Sequence, residues 1–126
     1  MKKHILFSLL LTTSGLLFAT ESGEQLLDEK CTACHMTSSS SAKLTNGKMG
    51  GPPMWGVMKK VKNRFKTKEE GIVFIVNYTM HPSEEKMLFP AATKEYFGLM
   101  PSQKEEVTKE ELQTIAEHLY QSYGAN

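Results

Sequence analysis

Near the start of the chain two cysteines and a histidine stand together as Cys31-Thr32-Ala33-Cys34-His35. The cysteines are about one helical turn apart, so both thiols can face the same side of a helix, with the imidazole directly after them. C-x-x-C-H is the spacing for covalent attachment of haem c. The two thiols would add to the two vinyl groups, and the histidine would lie under the iron as a ligand. Three other chemistries use paired cysteines. A disulfide is the usual fate of a cysteine pair in an exported chain. A thioredoxin-like dithiol follows a strand in a βαβ pattern, whereas a helical pattern precedes this pair. A structural zinc site needs four ligands, typically two such pairs, and the chain has only these two cysteines. The histidine in the fifth position favours haem.

A haem iron held by His35 needs a sixth ligand to act as a carrier, and a thioether raises the potential and blocks other ligands. Seven methionines follow the first twenty residues: Met36, Met49, Met54, Met58, Met80, Met87 and Met100. Most must fill core, since methionine packs irregular gaps. Met100 stands apart in Phe97-Gly98-Leu99-Met100-Pro101-Ser102. Gly98 and Pro101 fix an irregular backbone there that could turn one side chain inward. Position alone leaves the choice open between Met100 and the other six.

These residues must be held by helices. Three capping boxes mark helix starts. Ser22-Gly23-Glu24-Gln25 opens a helix into Cys31, Thr67-Lys68-Glu69-Glu70 opens one through about Thr79, and Thr108-Lys109-Glu110-Glu111 opens the last, through about Tyr123. In the last, Leu112, Ile115, Ala116, Leu119 and Tyr123 recur at helical spacing and form one apolar stripe. The stretch Ile72 to Tyr78 is rich in β-branched residues, which favour a strand. Ile72, Ile75, Val76 and Thr79 also fit a helix face, and the Thr67 cap decides for helix. A short helix is expected over Ala91 to Tyr96, and the serine-rich stretch 36–49 reads as a surface loop.

With these residues in view, the sequence resembles the class I cytochromes c, above all the small single-haem bacterial periplasmic members. The likeness runs through Cys31-Thr32-Ala33-Cys34-His35, Gly51-Pro52-Pro53-Met54-Trp55-Gly56 and Leu99-Met100-Pro101, in that order, between two terminal helices. It implies an all-α fold of three to five helices wrapped around one covalently attached haem. It implies that Met100 is the distal ligand opposite His35. Pro52 would offer the carbonyl that accepts the His35 Nδ1 proton, and Met54 would pack on the proximal side of the haem. Gly23 and Tyr120 would be the small residue and the aromatic where the terminal helices cross. The segment 81–97 has no clear counterpart.

The chain has 126 residues, enough for one domain, and its 40% hydrophobic and 23% charged content exclude wholesale disorder or a membrane bundle. Residues 1–19 read as a cleaved secretory signal: Lys2, Lys3 and His4, then a mostly apolar run, then the small Ala19. That run is shorter and more diluted than a membrane span of roughly 20 apolar residues. A domain over 20–126 is then expected, exported to the periplasm and soluble. Loss of Lys2 and Lys3 moves the formal charge from +1 to −1, which argues against nucleic acid as a partner. A core of this size is modest, so the chain without haem is expected to fold poorly.

Other candidates have plainer readings. The basic run Lys59, Lys60, Lys62, Arg64, Lys66 and Lys68 could dock an acidic redox partner but reads more simply as a solvated face. Arg64 is a candidate partner for a haem propionate. His81 could ligate iron, but it stands before Pro82 at a helix end and reads as a surface residue. His118 reads as solvated, and Trp55 as propionate contact or packing. Glu105, Glu106, Glu110 and Glu111 suit the dipole of a helix start. The expected function is a monomeric electron carrier that cycles Fe(III)/Fe(II) with His/Met ligation. It would exchange electrons with membrane or periplasmic oxidoreductases. Alternatives are a haem enzyme or gas sensor with a weakly held sixth ligand, or a haem subunit of a larger oxidoreductase.

Overall fold

The computed structural model describes residues 20–40 and 47–124. The expected signal segment 1–19 and part of the serine-rich loop, 41–46, lie outside the described residues. Five α-helices follow one another: α1 (Gly23–Cys31), α2 (Met54–Arg64), α3 (Lys68–Met80), α4 (Ala91–Phe97) and α5 (Lys109–Ser122). A single 3-10 turn, Glu84–Lys86, lies between α3 and α4. There is no strand among the described residues, so the chain is helical as expected.

All three capping boxes form. The Ser22, Thr67 and Thr108 side chains accept from the backbone N–H groups of Gln25, Glu70 and Glu111 at 3.2, 3.2 and 3.1 Å. Each glutamine or glutamate reaches back to the cap backbone at 3.0, 3.3 and 2.7 Å. Two of the four orphan donors at each helix start are thereby satisfied, and Ser/Thr caps of this kind contribute about 1 kcal/mol each. The Thr67 cap prevails over the strand preference of Ile72 to Val76, at the cost of leaving Val73 exposed on the outer face of α3.

α5 is the organising element. It packs on α1 and on α3, and α3 in turn meets α2. Its stripe of Leu112, Ile115, Ala116 and Leu119 is fully buried, against Leu26 and Leu27 of α1, Met58 and Val61 of α2, and Ile72 and Ile75 of α3. Each of the leucine, isoleucine, valine and methionine side chains among them contributes about 1.5–3 kcal/mol on removal from water.

Two glycines allow the helices to close. At Gly23 a Cβ would stand against the Cβ of His118 and 2.8 Å from the Thr114 carbonyl oxygen, so α1 can cross α5 only without a side chain there. At Gly71 of α3 a Cβ would stand 2.7 Å from Cζ of Tyr120. This corrects one expectation. Gly23 and Tyr120 do not meet each other: Gly23 receives Thr114 and His118, and Tyr120, which comes from a different face of α5, lies on Gly71. His118 is accordingly half-buried at the crossing rather than solvated, with its Nε2 3.0 Å from the Ser122 hydroxyl.

Candidate functional site

The last turn of α1 does not stop at Cys31. The N–H groups of Cys34 and His35 both donate to the Cys31 carbonyl, at 3.2 and 2.9 Å, and the Thr32 hydroxyl donates to the Asp28 carbonyl at 2.5 Å. The chain therefore keeps coiling through the motif. Cys31, Cys34 and His35 come round to one cleft, while Thr32 and Ala33 stay outside its lining. Both cysteines are free thiols.

The stretch 50–54 then closes on the motif. The Gly51 N–H donates to the Cys34 carbonyl at 3.0 Å. A Cβ on Gly50 would lie 2.9 Å from Cys34 Sγ, and one on Gly51 would lie 2.6 Å from His35 Cε1. Only glycine fits at either place, for steric reasons alone. Pro52 follows, and its carbonyl lies 2.6 Å from His35 Nδ1. A carbonyl can only accept, so Nδ1 must carry the hydrogen. In the neutral ring Nε2 then keeps its lone pair, which is the form a metal ligand requires. Burial holds the His35 pKa below its usual value, against the smaller opposing pull of the Pro52 hydrogen bond, and so favours that neutral ring. Met54 is buried at the start of α2, with its N–H donating to the Met36 carbonyl at 2.8 Å. Thus Cys31, Cys34, His35, Pro52 and Met54 form one wall of the cleft.

The rest of the cleft comes from α2, α3, α5 and the segment after α3. Val57, Val61, Phe74, Ile75, Leu112, Ile115 and Leu119 supply aliphatic and aromatic surface. Met87, Leu88 and Phe89 line it consecutively, followed by Thr93 and Phe97 of α4 and by Met100 and Pro101. Gly98 ends α4 at φ +81°, a conformation that favours glycine, and turns the chain back to present Met100. Behind Met100 the loop is tied to the end of α3. The Ser102 hydroxyl donates to the Met80 carbonyl at 2.6 Å, and the Gln103 N–H donates to the Thr79 carbonyl at 3.0 Å.

This narrows the methionine question. Met36, Met49, Met58 and Met80 do not line the cleft, whereas Met54, Met87 and Met100 do. Nothing in the sequence singles out Met87, because it follows an isolated 3-10 turn in a segment without periodicity. His81 and Trp55 are exposed and outside the lining. Arg64 is also outside it and lies over the Phe65 ring, 5.4 Å from its centre.

The cleft encloses a cavity of about 170 Å3. Its polar groups are few. The Cys31 thiol is pushed up to about 11, by burial first and then by the neighbouring Cys34. Reactive dithiols have thiol pKa values lowered to roughly 3.5–7.5, so Cys31 is unlike a disulfide-exchange nucleophile. Among the described residues no group of three or more His, Cys, Asp or Glu side chains is arranged to hold a metal ion. No helix of the described residues is long and apolar enough to cross a membrane.

The chain is similar to an uncharacterized protein of Aquifex aeolicus (strain VF5), with 29% identity over 114 residues that cover 82% of this chain and 74% of the relative. No family model matches the chain, and no solved structure matches it.

Proposed function

We propose that this protein is a single-haem c-type cytochrome that carries one electron at a time. The observation that carries the reading is the company His35 keeps. Its Nδ1 donates to the Pro52 carbonyl at 2.6 Å, and its ring sits with two free thiols in the wall of an apolar cleft. A flat apolar group with two reactive vinyl edges and a metal at its centre fits that donor set. Neither a zinc ion nor a disulfide makes use of the apolar volume.

In this reading Cys31 and Cys34 would hold the haem through thioethers, and His35 Nε2 and the Met100 sulfur would ligate its iron. Haem would supply the Fe(III)/Fe(II) couple. The protein's own part is orientation and exclusion. Pro52 fixes the tautomer and the angle of His35, Gly50 and Gly51 let the backbone lie against the motif, and Met54 and the α5 stripe would keep water from the cleft. Ser102 and Gln103 hold the Met100 loop to α3. A peroxidase would want a distal acid or base, and the lining holds no second histidine and no carboxylate among the described residues. The expected export to the periplasm, the cleavage after Ala19, the monomeric state and the oxidoreductase partners belong to the same proposal.

The test is expression of the whole chain in a host that matures c-type cytochromes. Haem should stay on the polypeptide through denaturing electrophoresis and should be lost in Cys31→Ala/Cys34→Ala. The native protein should show a low-spin spectrum with a thioether-to-iron band that Met100→Ala removes. A chain that carries no covalent haem overturns the proposal. A high-spin native spectrum that binds carbon monoxide when reduced replaces the carrier with a sensor or enzyme.

A further inference from the structure

The cleft is apolar but not symmetric in charge. Among the described residues that line it, the only fully charged side chains are two cations, Lys30 and Lys60; no aspartate, glutamate or arginine joins them. A ligand with an apolar body and carboxylates at one edge suits such a lining, and haem carries two propionates.

The two lysines are not equivalent. Lys30 has its ammonium 3.3 Å from the Glu29 carboxylate, so its charge is already answered within α1. Lys60, exposed at the rim, has no carboxylate within ion-pair distance among the described residues. Its ammonium stands 5.8 Å from the centre of the Phe89 ring. Phe89 belongs to the Met87–Phe89 stretch of the lining, so the lysine reaches from α2 towards the segment after α3. Its neighbours in the basic run are engaged elsewhere. Lys62 lies over Tyr120, 5.2 Å from the ring centre, and Arg64 over Phe65, and neither lines the cleft.

We infer that Lys60 is the counter-charge for a haem propionate, the role the sequence suggested for Arg64. The inference rests on the haem reading. A cation beside a propionate offsets a negative charge that would otherwise favour Fe(III). Removing it stabilises the oxidised state and lowers the midpoint potential. Because Lys60 is exposed, solvent and salt screen the effect and keep it modest.

The experiment is a spectroelectrochemical titration of the haem-loaded full chain in a charge series at position 60. Lys60→Arg should match the native protein. Lys60→Gln should shift the reduction equilibrium about two- to tenfold towards Fe(III), where tenfold is about 59 mV for one electron. Lys60→Glu should shift it further, and the spread should shrink as salt is raised. Glu29→Gln/Lys30→Gln, which removes both charges of the α1 pair, should move it by less than about twofold. Ordering by charge is a readout that a packing role would not give. Equal midpoints across the series, or a shift in Glu29→Gln/Lys30→Gln as large as in Lys60→Gln, overturn the inference while leaving the haem reading intact. Absence of thioether-bound haem from the same samples overturns both.

Discussion

The two sides of the cleft are built by different means. The wall from Cys31 to Met54 is fixed by short backbone and ring hydrogen bonds, by two glycines with no room for a methyl group, and by a buried methionine. The wall from Met87 to Met100 follows a 3-10 turn and has a seven-residue helix without a side-chain cap and two tethers after Met100. Tyr96 and Leu99 of that wall stand out in solvent. One side therefore fixes the His35 ring by its bond to Pro52. The other presents Met100 on a loop held from one end. Such an arrangement places specificity for the bound group on the first wall and adjustability on the second.

That contrast can be broken most severely at the motif. Cys31→Ala/Cys34→Ala should abolish haem retention and, with it, the cooperative thermal transition followed by circular dichroism. A sharp, cooperative melt in the haem-free chain would mean that the first wall does not need haem to stand. Next in size is Gly51→Ala. A Cβ 2.6 Å from His35 Cε1 must displace the ring or the backbone, so chemical denaturation should report a loss of about 1–3 kcal/mol, along with a disturbed haem spectrum. Gly71→Ala should cost a similar amount, because the Tyr120 ring cannot stay where it is. Tyr120→Phe should be neutral or slightly stabilising, since the buried hydroxyl has no hydrogen-bond partner to lose. Tyr120→Phe should also recover part of the Gly71→Ala loss in the double variant.

On the second wall the effects should be smaller. Ser102→Ala removes one hydrogen bond, to the Met80 carbonyl, and should cost about 0.5–1.5 kcal/mol in global stability. Its clearer signature should be a weaker Met100 band and faster binding of external ligands to the iron. A Ser102→Ala protein with unchanged ligand-binding rates would show that the Gln103 bond to α3 suffices. The smallest effect is at the start of α5. Hydrogen bonds from the Thr108 backbone hold the Glu111 carboxyl below its ordinary pKa. The folded value is depressed, so this stabilisation is complete above the unfolded carboxylate pKa. It fades as pH falls through the folded value, and Glu111→Gln should flatten that part of an acid-stability curve.

How much of this could be read beforehand follows the same division. The motif, the three capped helices and the α5 stripe were legible because each rests on local rules: a fixed spacing, a capping pair, a period of 3.6. The start of α2 carried no such cue, since Pro53 has no side chain that can cap. The expected Gly23–Tyr120 contact was misplaced because a helix face is legible from spacing, but which neighbour meets it depends on how the helices cross. The place of Met87 in the lining and the exclusion of Arg64 from it were not legible. Both depend on where an irregular segment runs, which neither periodicity nor turn chemistry fixes for residues 81–97.

The pairing of α1 with α5 has a consequence for synthesis. Cys31 ends α1 and Lys109 begins α5, 78 residues later. At about 5–20 residues per second, the motif is made some 4–16 s before the helix that covers Leu26 and Leu27 exists. During that interval the two thiols stand on a nascent chain with no finished wall around them. On the haem proposal an attachment apparatus would meet them as part of an open peptide, and the last helix to be made is the one that shuts the door.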